Sequence, residues 1–311
     1  MNKIAFIYPG QGAQYSGMGK DFYEQSSVAK AIYDKASERL DFDLLSLCFQ
    51  KDSRLNQTEY TQPALVATEL AITAEVMSLG LLPDVTAGLS LGEYTAIATA
   101  GGMDLLDAIS LVRKRGIYME EAVPAGQGSM AAILGLSAEQ VENAIEPIEG
   151  VSIANYNCPG QIVITGLQQA VQQGIDVLLE AGAKRAIPLI VSGPFHSKYL
   201  KVAGDRLEKE FKQVSWKPLT IPYVTNVTAQ YVRESSDIAE LLVNQVSSSV
   251  RWQQSIEKMI DEGVTHFIEI GPGKTLSGFM RKIDRTVSTY HIGTMEEADQ
   301  VIGELVCRTI R

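Results

Sequence analysis

A serine in a glycine-rich turn is the first residue of this sequence that could do chemistry. Gly88-Leu89-Ser90-Leu91-Gly92 fits the G-x-S-x-G pattern of a nucleophile elbow, in which a serine sits on a tight turn between a strand and a helix. The residues around it predict a short strand over 84–89 and a helix over 93–100. The alternative is a structural serine in a tight turn, but the strand and helix on either side favour a nucleophile.

A serine nucleophile needs a base, because its hydroxyl is weak at its own pKa. The chain has three histidines, and two of them, His266 and His291, lie inside predicted strands, where packing or hydrogen bonding is the usual role. His196 instead follows a loop, Ser192-Gly193-Pro194-Phe195, and precedes a helix predicted to start near Ser197. Since catalytic residues are common on loops held by a rigid scaffold, His196 is the predicted base.

The aspartates between these two residues do not complete a hydrolase triad. Asp104 and Asp107 lie in the cap and first turn of a predicted helix, and Asp176 lies within another helix. A hydrolase of this type places its acid in a loop after a core strand, between the serine and the histidine. A backbone carbonyl could orient the histidine instead, because it fixes the tautomer without a negative charge.

An arginine on an apolar helix face suggests the acyl group. The predicted helix over 105–122 has one apolar sector; Lys114 lies opposite to it, but Arg115 lies inside it. A buried guanidinium without a partner is costly, so it needs either a structural ion pair with an internal acid or an anionic ligand. Beside an acyl-serine, a ligand carboxylate would belong to a short dicarboxylic half-ester or half-thioester.

The predicted elements form an α/β core with an insertion. A buried strand is predicted over 3–8, a helix over 65–79, and further strands over 264–270 and 287–292. Between about residues 126 and 192 the order strand-helix-strand-strand-helix-strand is typical of a ferredoxin-like unit. We therefore predict an α/β-hydrolase-like catalytic core, residues 1–125 and 193–311, with a ferredoxin-like insertion over 126–192.

Composition narrows the class of partner. The net charge of −10 argues against nucleic acid and anionic membrane surfaces. Three scattered cysteines, Cys48, Cys158 and Cys307, favour neither disulfides nor a zinc site, and the short apolar run over 4–8 does not predict a signal peptide, so we expect a cytoplasmic protein. The Gly271–Thr275 turn resembles the end of a phosphate-binding loop but lacks the first glycine of that motif, so it does not predict a nucleotide site. The glycosylation sequons at Asn56 and Asn226 are interpreted as chance matches. No metal or other cofactor is expected.

Six motifs in one order carry a resemblance that covers nearly the whole chain. They are GQGAQ (10–14), GLSLGE (88–93), RG (115–116), NYNCPGQIVITG (155–166), GPFHS (193–197) and EIGPGK (269–274). The sequence thereby resembles the malonyl-CoA:acyl carrier protein transacylases of bacterial fatty acid synthesis. It is also similar to the acyltransferase domains of polyketide synthases.

The resemblance implies a role for each matching residue. Ser90 would carry the malonyl group, His196 would be general base and then acid, and Gln245 would orient that histidine through its main-chain carbonyl. The backbone amides of Gln11 and Leu91 would form the oxyanion hole. Arg115 would hold the malonyl carboxylate. The expected partners are malonyl-CoA and an acidic acyl carrier protein, with the enzyme a monomer.

Three further features follow from the same comparison. Phe195, before the histidine, accompanies malonyl rather than methylmalonyl use in the polyketide relatives, and many relatives have histidine where this chain has Leu89. Basic residues near the site are candidates for steering the carrier, although each could equally be an ordinary solvated side chain. They are Lys198, Lys201, Lys274, Arg281 and Lys282.

The sequence leaves three alternatives open. A stand-alone acyltransferase of a polyketide pathway would share the whole site. A serine hydrolase of short acyl thioesters would need Ser90 and His196 but not Arg115. A non-catalytic carrier-docking protein would need none of the three.

Overall fold

The computed structural model describes residues 3–124, 126–191 and 193–306. Its ten strands within these ranges are β1 (Lys3–Tyr8), β2 (Val85–Gly88), β3 (Gly128–Leu134), β4 (Val151–Cys158), β5 (Gln161–Leu167), β6 (Arg185–Pro188), β7 (Tyr223–Val224), β8 (Tyr231–Val232), β9 (Val264–Ile270) and β10 (Ser288–Ile292).

The described α-helices lie in the connections between strands and after the last strand. They are α1 (Lys20–Gln25), α2 (Ser27–Arg39), α3 (Leu44–Phe49), α4 (Thr58–Ser78), α5 (Gly92–Thr99), α6 (Leu105–Ala122), α7 (Ala138–Ile145), α8 (Gln168–Glu180), α9 (Lys201–Phe211), α10 (Ile238–Gln245), α11 (Trp252–Asp261), α12 (Thr275–Ile283) and α13 (Met295–Leu305). Short 3-10 turns cover Ser53–Asn56, Lys198–Leu200 and Ser235–Asp237.

The larger sheet is mostly parallel and has the order β10-β9-β1-β2-β7-β8, with only β8 antiparallel to its neighbour. Its strands are apolar on both faces, as parallel strands covered by helices must be. In β1, Phe6 and Tyr8 face the large core with α4 and α6, whereas Ala5 and Ile7 face a second core that includes Trp252. The carboxyl ends of β1 and β2 therefore lie side by side, which brings the loops that follow them together.

The smaller sheet is antiparallel, with the order β4-β5-β3-β6 and the chain order strand-helix-strand-strand-helix-strand. The α7 helix begins at a Ser137–Gln140 capping box, which satisfies two backbone donors that have no partner in the helix. One face of the sheet packs against α7 and α8, through residues such as Ile133 and Val171. The other face, including Met130 and Val163, joins the large core.

Three hydrogen bonds connect the smaller sheet to the segment between α10 and α11. The backbone amide of Val250 donates to the Ala154 carbonyl at 2.7 Å, and the Val250 carbonyl accepts from the Tyr156 amide at 2.9 Å. The Ser249 hydroxyl donates to the Ile153 carbonyl at 2.6 Å. The segment that follows α10 is thus attached to β4 of the smaller sheet.

The prediction for α4 was too short, since the helix begins at Thr58 rather than near residue 65. Pro63 lies within it and cannot donate to the carbonyl of Glu59, four residues earlier. The Arg113 guanidinium donates to that carbonyl instead, at 2.9 Å. A long-range contact thus replaces the missing helical bond, and the local sequence does not reveal it.

Other predictions differ by a few residues or lie outside the described ranges. β1 and α6 have the predicted bounds, and β2 and α5 differ from them by one residue at each end. The proposed boundaries of the insertion adjoin Ala125 and Ser192, which lie outside the described residues, as does Cys307. Cys48 and Cys158 are buried free thiols. Within the described chain, no helix is long and apolar enough to cross a membrane.

Candidate active site

Ser90 lies in the turn between β2 and α5 with a left-handed backbone, φ 53°. This conformation is strained for a residue with a side chain and typically occurs at functional sites. The glycines on either side are required by close packing: a Cβ at Gly88 would lie 1.9 Å from the Gly92 carbonyl carbon, and one at Gly92 would lie 2.4 Å from the Tyr8 carbonyl oxygen. The G-x-S-x-G pattern therefore reflects a turn pressed against the end of β1.

His196 contacts the serine directly. Its Nε2 lies 2.7 Å from Ser90 Oγ, and its Nδ1 lies 3.0 Å from the Gln245 carbonyl and 3.1 Å from the Ser248 carbonyl. Carbonyl oxygens only accept, so the Nδ1 must carry the proton and the Nε2 must be the acceptor that faces the hydroxyl. This is the tautomer that a general base for Ser90 requires.

The surroundings of His196 keep its imidazole neutral. The ring is buried, and burial together with the nearby Arg115 cation lowers its pKa to about 4. The hydrogen bonds to the Gln245 and Ser248 carbonyls oppose this shift but do not cancel it, and no described carboxylate forms an ion pair with the ring. At neutral pH the histidine is ready to accept a proton.

Arg115 extends from α6 to the same serine and is only 1 % exposed. Its guanidinium donates to three neutral oxygens: Gln62 Oε1 at 3.0 Å, Ser90 Oγ at 3.1 Å and Gln245 Oε1 at 3.1 Å. Its Nε is buried without a hydrogen-bond partner among the described residues. Within that part of the chain it also forms no direct ion pair; the buried Glu93 carboxyl interacts with it only at longer range, across Gln245, so no acid contacts the guanidinium that faces the nucleophile.

Arg113, two residues earlier on α6, has the opposite environment. It is also buried, but it forms ion pairs with Asp41 at 2.9 Å and with Glu59 at 2.6 Å. The structural ion pair considered for Arg115 therefore belongs to Arg113, which the sequence analysis did not single out. Gly116 allows α6 to approach α4 closely, since a Cβ there would lie 2.6 Å from the Glu59 Cα.

A pocket of about 280 Å³ opens beside this group, between the two sheets. Ser90, His196, Phe195 and the Gly10–Ala13 loop line it on one side. On the other side the smaller sheet contributes Met130, Ala132, Asn155, Asn157, Gln161 and Val163. A substrate that reaches the serine must therefore contact residues from both sheets.

The two predicted oxyanion-hole residues adjoin the serine. Gln11 lines the pocket, and Leu91 follows Ser90 and is buried. Neither backbone amide donates a hydrogen bond to another described residue. Both amides are thus available to an acceptor within the site.

The five basic residues predicted to steer the carrier differ in their surroundings. All five side chains are exposed, but Lys274 pairs with Glu297 at 2.8 Å and Lys282 donates to the pocket residue Gln161 at 3.3 Å. Lys198 lines a separate cavity that His196 also lines. Lys201 begins α9 and Arg281 lies in the last turn of α12.

The sequence analysis did not assign a role to three residues whose side chains contact the site: Glu93, Asn226 and Gln62. Glu93 is fully buried, and its Oε2 accepts from Gln245 Nε2 at 2.8 Å and from the Asn226 amide at 3.2 Å. Burial raises the pKa of Glu93 to about 7. Glu93 could have been found from its place in the GLSLGE motif beside Ser90, whereas no motif places Asn226 or Gln62 near the site.

The remaining two histidines lie in strands, His266 in β9 and His291 in β10. His291 Nε2 lies 3.0 Å from the Gly271 carbonyl and its Nδ1 lies 3.0 Å from a Glu297 oxygen. His266 contacts the Thr265 hydroxyl and stacks on Tyr290. Among the described residues, no cluster of His, Cys, Asp and Glu is arranged to hold a metal ion.

Comparison with known proteins identifies the family of the chain. The model of the acyl transferase domain family matches residues 5–301. The chain is 47 % identical over 310 residues to the malonyl CoA-acyl carrier protein transacylase of Bacillus subtilis, covering 98 % of both chains. A Staphylococcus aureus protein of the same name is 42 % identical over 302 residues, covering 96 % of this chain and 97 % of that one.

Solved structures of malonyl transacylases are also similar to this chain. The crystal structure of malonyl CoA-acyl carrier protein transacylase from Clostridium perfringens superposes with a TM-score of 0.95 at 41 % identity, covering 99 % of this chain and 98 % of that one. A malonyl-transacylase in complex with a type II polyketide synthase acyl carrier protein superposes with a TM-score of 0.93 at 37 % identity, covering 96 % and 98 %. The chain belongs to the acyl transferase domain family.

Proposed function

We propose that this protein transfers a malonyl group from malonyl-CoA to the phosphopantetheine thiol of an acyl carrier protein through a malonyl-Ser90 intermediate. The observation that carries this proposal is the buried Arg115 guanidinium, which contacts Ser90 Oγ at 3.1 Å and has no described acid as a partner. A carboxylate on the acyl group supplies the missing negative charge, and the planar guanidinium can bind it through two hydrogen bonds. The names of the relatives agree with this substrate.

The first half of the reaction loads the serine. His196 Nε2 takes the hydroxyl proton of Ser90 while Oγ attacks the thioester carbonyl of malonyl-CoA. The Gln11 and Leu91 amides hold the oxyanion, and each such donor is worth about 3 kcal/mol in comparable sites. When the tetrahedral intermediate collapses, His196 returns the proton to the departing CoA thiolate.

The second half of the reaction transfers the malonyl group from Ser90 to the carrier thiol. The carrier thiol gives its proton to His196 and attacks the acyl-serine carbonyl; collapse then breaks the Ser90 ester and Oγ regains the proton. The kinetics are expected to be ping-pong, because the two thiols use one site in turn. The Phe195 ring, 7 % exposed and in the pocket wall, limits bulk at the α-carbon.

We further propose the finer architecture and partners predicted above. Residues 1–125 and 193–311 form an α/β-hydrolase-like core and residues 126–192 a ferredoxin-like insertion, which the separate antiparallel sheet supports. The relative in complex with a polyketide carrier supports an acyl carrier protein as partner and leaves a fatty acid or polyketide carrier possible. A monomeric state and a cytoplasmic location stay predictions.

Intact-protein mass spectrometry tests the proposed function. Wild-type protein incubated with malonyl-CoA should gain one malonyl group, lose it on addition of a holo-carrier protein, and keep it in buffer. Ser90→Ala should gain none; a malonyl adduct in that variant would refute the nucleophile. Rapid loss of the adduct in buffer would indicate a thioesterase instead.

A further inference from the structure

Asn226 is buried behind the nucleophile turn and contacts it from both sides. Its Oδ1 accepts from the Ser90 backbone amide at 2.6 Å, and its Nδ2 donates to the Gly88 carbonyl at 2.7 Å. The residue is 1 % exposed. One side-chain amide therefore holds the backbone before and at the strained serine.

The sheet explains why this residue reaches the turn. Asn226 follows β7, and β7 pairs in parallel with β2, matching Thr86 to Tyr223 and Ala87 to Val224. The carboxyl ends of adjacent parallel strands meet at the same edge of a sheet. Asn226 thus lies beside Ser90, although 136 residues separate them in sequence.

The backbone of Asn226 is held as firmly as its side chain. Its amide donates to Glu93 Oε2 at 3.2 Å and its carbonyl accepts from the Arg251 amide at 3.0 Å. The same Glu93 oxygen accepts from the side chain of Gln245, whose carbonyl orients His196. One buried carboxyl group therefore connects the supports of the nucleophile and of the base.

We propose that Asn226 is a positioning residue, which holds Ser90 in its left-handed conformation so that Oγ faces His196. This inference rests on the proposed function of Ser90. An isolated serine at φ 53° is strained, and such a conformation persists only when the surroundings enforce it. Asparagine suits the task because one planar group offers an acceptor to the amide of Ser90 and a donor to the carbonyl of Gly88.

Two substitutions separate the contacts. Asn226→Ala removes both bonds, and we expect the rate of malonyl-enzyme formation to fall by about 10²-fold, the order expected for a reacting group displaced by about 1 Å. Asn226→Asp keeps the acceptor but places a carboxylate oxygen against the Gly88 carbonyl oxygen, so acylation should also fall at pH 8. The matched control is Asn143→Ala on the exposed face of α7, which should acylate at the wild-type rate.

The acylation rate of Asn226→Asp should depend on pH, because the introduced carboxyl group can take up a proton. A protonated carboxyl group offers a donor and an acceptor, as the amide does. Burial favours that proton, since the position is 1 % exposed, and Arg115 is the cation that opposes it through its contact with Ser90. Glu93, which accepts from the Asn226 amide, has a pKa of about 7 and is mostly neutral at pH 5.5. The acylation rate of Asn226→Asp, divided by the wild-type rate at the same pH, should therefore rise at least fivefold from pH 8 to pH 5.5.

Glu93 itself titrates in this range in both proteins, but its protonation does not have to break the hydrogen bonds that it accepts. Both of its hydrogen bonds use Oε2, whereas its Oε1 has no partner among the described residues and can take the proton. The ratio to wild type at each pH also cancels any effect common to both proteins.

A binding measurement distinguishes positioning from substrate binding. The dissociation constant of malonyl-CoA, measured by calorimetry in Ser90→Ala with and without Asn226→Ala, should agree within threefold. Acylation within threefold of wild type in either Asn226 variant, or a loss of binding equal to the loss of rate, would overturn the assignment. If Asn226→Ala does not fold, the pH dependence of Asn226→Asp decides, and a flat ratio refutes the proposal. Failure of the proposed function would differ, because Ser90→Ala would then still acquire malonyl.

Discussion

Replacing Arg115 by glutamine should change which acyl group the enzyme accepts. Its guanidinium is buried, contacts Ser90 Oγ at 3.1 Å and has only neutral acceptors among the described residues. The substrate carboxylate would be its first negatively charged partner. An acetyl group offers no such partner, so its transfer does not depend on the guanidinium.

The magnitude follows from the energy of a buried charged pair. Removing one partner of a hydrogen-bonded buried ion pair costs about 2 to 5 kcal/mol, and each 1.4 kcal/mol is a factor of ten in rate. We take the loss in Arg115→Gln as about 3 kcal/mol of transition-state stabilisation for the malonyl group only. The ratio of kcat/KM for malonyl-CoA to kcat/KM for acetyl-CoA should therefore fall by about 10²-fold. Arg115→Lys keeps the charge but loses the planar fork, so its ratio should fall by less.

Quenched time courses of acyl-enzyme formation, followed by intact mass, measure both substrates in one assay. The matched control is Arg113→Gln, which lies on the same helix but loses ion pairs with Asp41 and Glu59. It should lower the melting temperature and leave the acyl ratio unchanged. If Arg115→Gln slows both acyl groups equally, the guanidinium is structural and the carboxylate argument is wrong.

Three further outcomes follow from the residues in and around the site. Because the pKa of His196 is lowered to about 4, kcat/KM for acylation at pH 5.5 should stay within twofold of its value at pH 7.5, whereas an ordinary histidine would be mostly protonated and the rate about tenfold lower. In Arg115→Gln the acid limb should move to higher pH, since one of the two causes of the shift is lost; an unmoved limb would show that burial alone sets this pKa. Raising salt from 0.05 to 0.5 M should slow transfer to the carrier protein much more than transfer to free pantetheine, because the exposed Lys198, Lys201 and Arg281 attract an acidic partner through screened charges. Equal slowing would remove the basic residues from the docking surface.

The contact of Ser90 with His196 could be predicted because local patterns identify both residues. The G-x-S-x-G turn requires glycines for close packing, and this requirement is visible in five residues. His196 stood out because the other histidines lie in strands. The helical period also identified Arg115, because α6 has the predicted bounds and a cation in an apolar sector is unusual.

The supporting residues could not be predicted, because tertiary contacts create them. Asn226 reaches Ser90 only through the pairing of β7 with β2, and a two-residue strand carries almost no sequence pattern. Gln62 lies in α4, a helix buried on nearly all sides, where no face distinguishes a polar contact. Ser248 acts through its carbonyl, which every residue type possesses.

The attachment of the smaller sheet to the segment after α10 has a mechanical consequence. Ser249 and Val250 bind β4, and the adjacent Ser248 supplies one of the two carbonyls that orient His196. A hinge motion that separated the sheets to admit substrate would pull this carbonyl away from the imidazole. We therefore expect His196 to keep both of its carbonyl contacts only while β4 and this segment stay joined, and a substrate arm to reach Ser90 without a large separation of the two sheets.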